Sequence, residues 1–201
     1  MMMTPREKSP TRTMTRTGIQ WIVRPSTLED KESIDHLLRI SYEHLLAKDY
    51  DADLLRIALP RLCSARPELL TSSTWYVAEH PETGALVGCG GWTPQSPFRE
   101  NIPHLRHFAT HPDYTRQGIA RALWDRTWKD WCDYHKATTT KKNNHCHSSD
   151  HENEKEEEEA TAAAQEPRRP DMEVFSTRTA ECFYASLGFQ KIKDIIIPIA
   201  E

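Results

Sequence analysis

The chain has 201 residues, of which 37% are hydrophobic and 28% charged, and a formal net charge of -4. That length suits one domain around one core, and the composition is that of a globular protein in water. The slight acidity gives no general electrostatic reason to expect nucleic acid as a partner, and no apolar run approaches the ~20 residues of a membrane-spanning helix.

The five cysteines, Cys63, Cys89, Cys132, Cys146 and Cys182, form no CxxC pair and are odd in number. A reducing compartment, cytoplasmic or nuclear, is expected rather than a disulfide framework. Residues 1–18 are polar, rich in Thr and Arg, and broken by Pro5 and Pro10, so they read as a disordered tail. The same prolines argue against the amphipathic helix of a transit peptide. A single domain is expected over residues 19–199, interrupted by a low-complexity insertion at 138–170.

Ile19 to Pro25 predicts a first strand. Ser26 or Thr27 can cap a helix over Leu28 to Ala47, where Ile34, Leu37, Leu38, Ser41 and Leu45 keep helical spacing. A second helix is expected over Ala52 to Cys63, after which Pro67 restarts the chain. Thr74 to Glu79 and Ala85 to Trp92 are apolar runs joined by HPETG, which predicts an antiparallel hairpin. The second run, ALVGCGGW, carries three glycines, and glycine inside a strand marks either a bulge or the close approach of another group.

Leu105 to Thr110 predicts a further strand, stopped at HisProAsp because Pro112 cannot donate to a ladder and Asp113 favours a turn. From Ile119 the apolar residues recur at helical spacing through Leu123, Thr127 and Trp131. The loop between is therefore a helix N-terminus, where unpaired N–H groups and the positive dipole end face outward. Gly118 allows a ligand close to the main chain, Ala120 keeps the first turn slim, and Arg116 and Arg121 add positive charge. A phosphate or pyrophosphate suits such a terminus.

Residues 138–170 contain KKNNHCHSSDHENEKEEEEATAAAQEPRRP, with almost no large apolar side chains to offset the cost of ordering. His145, Cys146, His147 and His151 are metal-ligand types. Without a second ligand pair at defined spacing they read as a solvated tract, and no metal is expected. Met172 to Ser176 predicts a short strand. Ser176 or Thr177 can cap a helix with Ala180, Phe183, Tyr184 and Leu187 on one face and Gly188 at its end, and Phe189 to Ile199 has the composition of the last strands. The sum is a mixed α/β fold with a sheet of six to seven strands and about four helices.

Two blocks resemble a known family. YTRQGIA is similar to the acyl-CoA pyrophosphate loop of the GCN5-related N-acetyltransferases, except that Thr115 stands where the family has Gln or Arg, with Arg116 and Gln117 following at once. AECFYASLGF, Ala180 to Phe189, resembles the family's late helix, whose tyrosine lies beside the CoA sulfur. The resemblance covers roughly 21–199 outside the insertion and implies acetyl-CoA as co-substrate. It implies that Thr115, Arg116, Gln117, Gly118, Ile119, Ala120 and Arg121 hold the pyrophosphate. Main-chain groups of the strand Phe108, Ala109 and Thr110 would meet the acetyl carbonyl and pantetheine, with Phe183 nearby.

The chemistry implied is direct acetyl transfer to a primary amine, which needs a neutral amine, a polarised carbonyl and a proton for the thiolate. By the resemblance Tyr184 supplies that proton. His104 aligns with the family's base, and an ordinary histidine pKa near ~6.5 suits the task; following Pro103, it reads equally as an exposed loop residue. His107 should face the other side of the strand by the two-residue period. A small-molecule amine is the first acceptor expected and a protein N-terminus or lysine the second; the oligomeric state is not encoded in any pattern. From a different class, a non-catalytic acyl-CoA-binding or interaction module would fit Thr115 and the acidic insertion.

Overall fold

The structure is a computed structural model that describes residues 11–14, 20–97, 99, 102–144 and 171–196. Its frame is one six-stranded sheet in sequential order. Strands β1 (Thr11–Met14), β2 (Gln20–Pro25), β3 (Trp75–Glu79), β4 (Leu86–Thr93) and β5 (His104–Thr110) pair antiparallel in succession. β6 (Glu173–Val174) then joins β5 in parallel, with His104 opposite Glu173 and Leu105 opposite Val174.

Strand alternation sorts the core into two faces. On β3, Trp75 and Val77 point to the side of α1 (Lys31–Leu46), where Ile34, Leu37, Leu38, Cys63, Leu69, Leu70, Cys89 and Ala109 complete a buried cluster. Tyr76 and Ala78 point the other way, against Ile119, Ala122 and Leu123 of α4 (Ile119–Asn144), with Trp21 and Val23 of β2 alongside. A third, aromatic cluster joins the first half of α4 to residues 172–189. Trp92, Leu105, Trp124 and Trp131 are buried with Tyr184, and Phe183, Leu187 and Phe189 pack onto them.

Local chemistry explains the remaining boundaries. α2 (Ala52–Leu62) starts where the Asp51 carboxylate accepts from the Asp53 N–H at 2.9 Å. Pro67 opens a one-turn helix, α3 (Pro67–Leu70), which the sequence presented only as a restart of the chain. α5 (Glu181–Ser186) ends at Gly188, whose φ of 93° is the left-handed value expected there.

Three expectations need correction. Thr11–Met14, inside the stretch read as a disordered tail, forms β1 because β2 offers it a whole edge, with Thr11 opposite Val23 and Met14 opposite Gln20. α4 continues to Asn144, beyond the expected start of the insertion at 138, since no proline or glycine breaks it. Phe189 to Ile196 forms no strand: β6 is two residues long and no further described strand lies beyond it, which leaves Ile192 80% and Ile196 96% exposed. Residues 145–170, with His145, Cys146, His147 and His151, lie outside the described residues, as do most of the first 18. No helix among the described residues is long and apolar enough to cross a membrane.

Candidate active site

The site grows from an irregularity between β4 and β5. Cys89 pairs with Ala109 and Gly91 with Arg106, so His107 and Phe108 together stand opposite Gly90 alone. This is a bulge on β5, and His107 carries the positive φ, 46°, that turns the strand there. The glycines of β4 admit large neighbours. A Cβ on Gly90 would lie 2.6 Å from the Phe108 ring, and one on Gly91 would lie 2.5 Å from the Trp75 side chain. Both sequence readings of these glycines, bulge and close approach, are thus realised at one place.

The bulge also cancels the two-residue alternation used to set His107 apart from His104. Instead of facing the α4 side, the His107 ring lies edge-on to Trp75, 6.4 Å between centroids, in the α1-side core. Burial, with Arg106 and Arg66 nearby, pushes its pKa down to about 4.

The other edge of β5 is open. β6 pairs with it only at His104 and Leu105, so from Arg106 to Thr110 this edge has no strand partner among the described residues. That open edge leads directly into the predicted anion loop. After a short 3₁₀ turn, Pro112–Tyr114, the chain passes Arg116 at φ 64° and Gly118 at φ 84° before α4 begins. The Gly118 carbonyl accepts the first helical bond, from Ala122 at 2.9 Å, and helix geometry leaves the N–H groups of Ile119, Ala120 and Arg121 without intrahelical partners. Arg116, Gly118 and Arg121 are exposed.

Thr115 and Gln117 brace the loop rather than extend it: the Thr115 hydroxyl donates to the Pro112 carbonyl at 3.0 Å, and the Gln117 amide to that of Asp113 at 3.3 Å. The buried Trp21 indole N–H donates to the Gln117 carbonyl at 3.1 Å and anchors the loop to β2.

His104 is no exposed loop residue: it is 3% exposed, at the start of β5, with its ring 4.5 Å from that of Phe175. Its Nδ1 is 3.6 Å from a Glu173 carboxylate oxygen and makes no hydrogen bond. The expected titration near 6.5 is corrected, because burial, reinforced by Arg106 and His107, pushes the imidazole down to about 4. The sequence reading missed Glu173, which the β5–β6 register brings beside it; Ser96 donates to the same carboxylate and Arg99 lies 3.8 Å away.

Tyr184, on α5, is buried in the aromatic cluster, with Phe183 and Phe189 at 5.2 and 5.7 Å between ring centroids. Its hydroxyl bonds no described residue, and burial raises its pKa well above the ordinary value. Phe183 is 6.4 Å from Phe108, which links α5 to the bulge. No hydrogen bond or ring contact joins His104 to Tyr184. Tyr42 of α1 escaped notice in the sequence as one more helical aromatic. It packs against the Cys89 and Ala109 side of the sheet, and burial, with Cys89 and Tyr184 in electrostatic reach, raises its pKa.

The α1–α2 connection closes over this region. Tyr50 accepts a hydrogen bond from the Arg178 N–H at 2.9 Å, and Thr179 donates to Asp49 at 2.5 Å.

β5 thus carries both features, a bulge on the β4 side and a parallel pairing with β6 that parts after two residues, and it leads into the glycine-started α4. Residues 71–191 match a family model described as an acetyltransferase (GNAT) domain. The chain belongs to the GNAT acetyltransferase family. The fold is similar to a GCN5-related N-acetyltransferase from Ralstonia eutropha, 14% identical, with TM-score 0.54 over 89% of this chain and 97% of that one. A PaiA N-acetyltransferase from Thermoplasma acidophilum in complex with coenzyme A is 17% identical over 60% of this chain and 73% of that one, with TM-score 0.43. A diaminobutyrate acetyltransferase from Paenibacillus lautus, in complex with L-2,4-diaminobutyric acid and coenzyme A, is 20% identical over 54% and 56%, with TM-score 0.36. No curated protein matches the chain.

Proposed function

We propose that the protein transfers an acetyl group from acetyl-CoA directly to a primary amine, with a small-molecule acceptor favoured. The observation that carries this reading is the edge of β5. Among the described residues it is unpaired beyond Leu105, bulged at His107 and Phe108, and continuous with the glycine-started α4. An extended amide-bearing arm can add to such an edge as a strand would, and a pyrophosphate fits the outward N–H groups between Arg116 and Arg121. Gly118 is exposed and left-handed, so the main chain there is open to close approach.

In this reading the Phe108 and Thr110 backbone N–H groups orient the pantetheine arm and polarise the thioester carbonyl, while Ala109 and Phe183 wall the arm. Tyr184 gives its proton to the departing thiolate sulfur; its raised pKa keeps the phenol protonated until the thiolate forms. His104, neutral above about pH 4, receives the ammonium proton of the attacking amine, directly or through water. The amine nitrogen bonds to the carbonyl carbon as the carbon–sulfur bond breaks, and no covalent enzyme intermediate is required.

Thiol release from acetyl-CoA, followed against a panel of small amines, amino acids and peptides, tests the reading. Turnover with a small amine is expected. Tight acetyl-CoA binding with no transfer to any acceptor would instead favour a non-catalytic binding module.

A further inference from the structure

The α1 side of the sheet holds positive charge that the transfer reading does not use. Arg106 pairs with Gly91 across β4–β5, and Trp75 pairs with the same glycine from β3, so the three lie in one row on that side. With no Cβ at Gly91, the Trp75 side chain lies over the strand and its indole N–H donates to the Arg106 carbonyl at 3.1 Å. Arg66 stands at the N-terminus of α3, between Ala65 and Leu69, both buried in the cluster that contains Trp75.

The Nε of Arg106 is buried and bonds no atom among the described residues, and no ion pair among them holds Arg66. Each guanidinium is near enough for Arg66 to disfavour the charge on Arg106. Asp35, beside Ala65, is already engaged, accepting from the Ala65 N–H at 2.7 Å and pairing with Lys31 at 2.5 Å. Two cations without an ion-pair partner among the described residues, one with a buried idle donor, form a receptor for a ligand from outside.

We infer that Arg106, seconded by Arg66, is the anion-binding half of the acceptor site, and that the amine acetylated here carries a carboxylate. This rests on the acetyl-transfer reading. Arg106 immediately precedes the bulge residues His107 and Phe108, and one strand residue spans only ~3.3 Å, so the carboxylate and the reacting amine belong to one small molecule. The guanidinium fork matches the two oxygens of a carboxylate and fixes the direction from which the amine arrives. Phosphate and phosphonate share this oxyanion chemistry, and the test separates them.

The experiment compares kcat/KM for a series of ω-amino acids with that for the matching alkylamines, ω-amino amides and aminoalkyl phosphonates, with acetyl-CoA binding measured alongside by calorimetry. The carboxylate is expected to raise kcat/KM by roughly 10- to 100-fold over the alkylamine and the amide, as a charged hydrogen-bonded pair does. In Arg106→Gln the ratio should fall toward one, mainly through KM, and in Arg66→Gln it should fall part of the way. Normal acetyl-CoA binding and turnover without a carboxylate preference would overturn this inference alone, and so would a stronger preference for the phosphonate. Absent acetyl-CoA binding would overturn the transfer reading and this inference with it. Should Arg106→Gln not fold, Arg66→Gln, altered at an exposed position, decides: an unchanged ratio there refutes the assignment.

Discussion

Replacing Gly90 by alanine tests whether the β5 bulge is what makes the site. The new Cβ would lie 2.6, 2.8 and 2.9 Å from three carbons of the Phe108 ring, where ordinary carbon contacts are ~3.5–4.0 Å. The ring must therefore move by about 1 Å, against α4 on one side and Phe183 on the other. Overpacking of this kind costs about 1–3 kcal/mol, and at this chain length each kcal/mol shifts Tm by roughly 2–4 °C, so a fall of roughly 2–12 °C is expected. Because Phe108 belongs to the bulge, acetyl-CoA affinity should fall on the order of 10-fold as well. Gly84→Ala provides the contrast. Its φ of 69° makes any side chain strained, but a Cβ there meets nothing within 4 Å and Gly84 itself pairs with no residue of β5, so Tm should drop while affinity holds. Thermal melting by circular dichroism and acetyl-CoA titration by calorimetry give both quantities. A Gly90→Ala protein with parental Tm and parental Kd would refute the assignment of the bulge to the site.

Gly118→Val should abolish the rise in Tm on adding acetyl-CoA, since a branched side chain at φ 84° both strains the loop and blocks the approach; full affinity in a folded variant would remove the loop from the site. Tyr184→Phe keeps the ring and its packing but loses the donor, so kcat should fall on the order of 10²-fold with acetyl-CoA affinity unchanged, and parental turnover would leave protonation of the sulfur to another group. His104 and His107 titrate in the folded protein at about 4, below the ~6.5 of an unfolded chain. Between those values the unfolded state binds more protons, so stability should fall as pH drops from ~6.5 toward 4, read as the urea midpoint against pH, and His104→Gln should flatten that slope. An acidic limb in kcat/KM near 6.5 that vanishes in the same variant would contradict the burial of His104. Replacing residues 145–170 by a short Gly/Ser linker is expected to leave Tm and acetyl-CoA affinity nearly unchanged; loss of either would show that the segment packs or binds.

The strongest local signals in the sequence described the strand Leu105–Thr110, its stop before Pro112, the glycine ahead of the helix and the start of α4, because turn chemistry and helical periodicity act within a few residues. The helix ending at Gly188 was legible for the same reason. What depended on partners far along the chain was not. Thr11–Met14 has no strand pattern of its own and becomes β1 only beside β2, whereas Phe189 to Ile196 has a good strand composition and pairs with no described strand. His104 looked exposed because Pro103 precedes it, yet Glu173 and Phe175 arrive from beyond the insertion to cover it. His107 was misplaced because alternation fails at a bulge, and the glycine that announces the bulge lies on the neighbouring strand.

The long sequence separation across the closure over β5 has a consequence for how the molecule comes into being. Tyr50 meets Arg178 and Asp49 meets Thr179 only once 128 and 130 further residues have been synthesised, and Glu173 reaches His104 comparably late. Both clusters that line the faces of β2 to β5 are complete without any residue after Leu123. On the ribosome, at ~5–20 residues per second, that sheet can therefore form while the last part of the chain, with β6 and α5, has yet to emerge. In that interval the nascent sheet has its core, while His104 and the α1–α2 connection still await Glu173, Arg178 and Thr179.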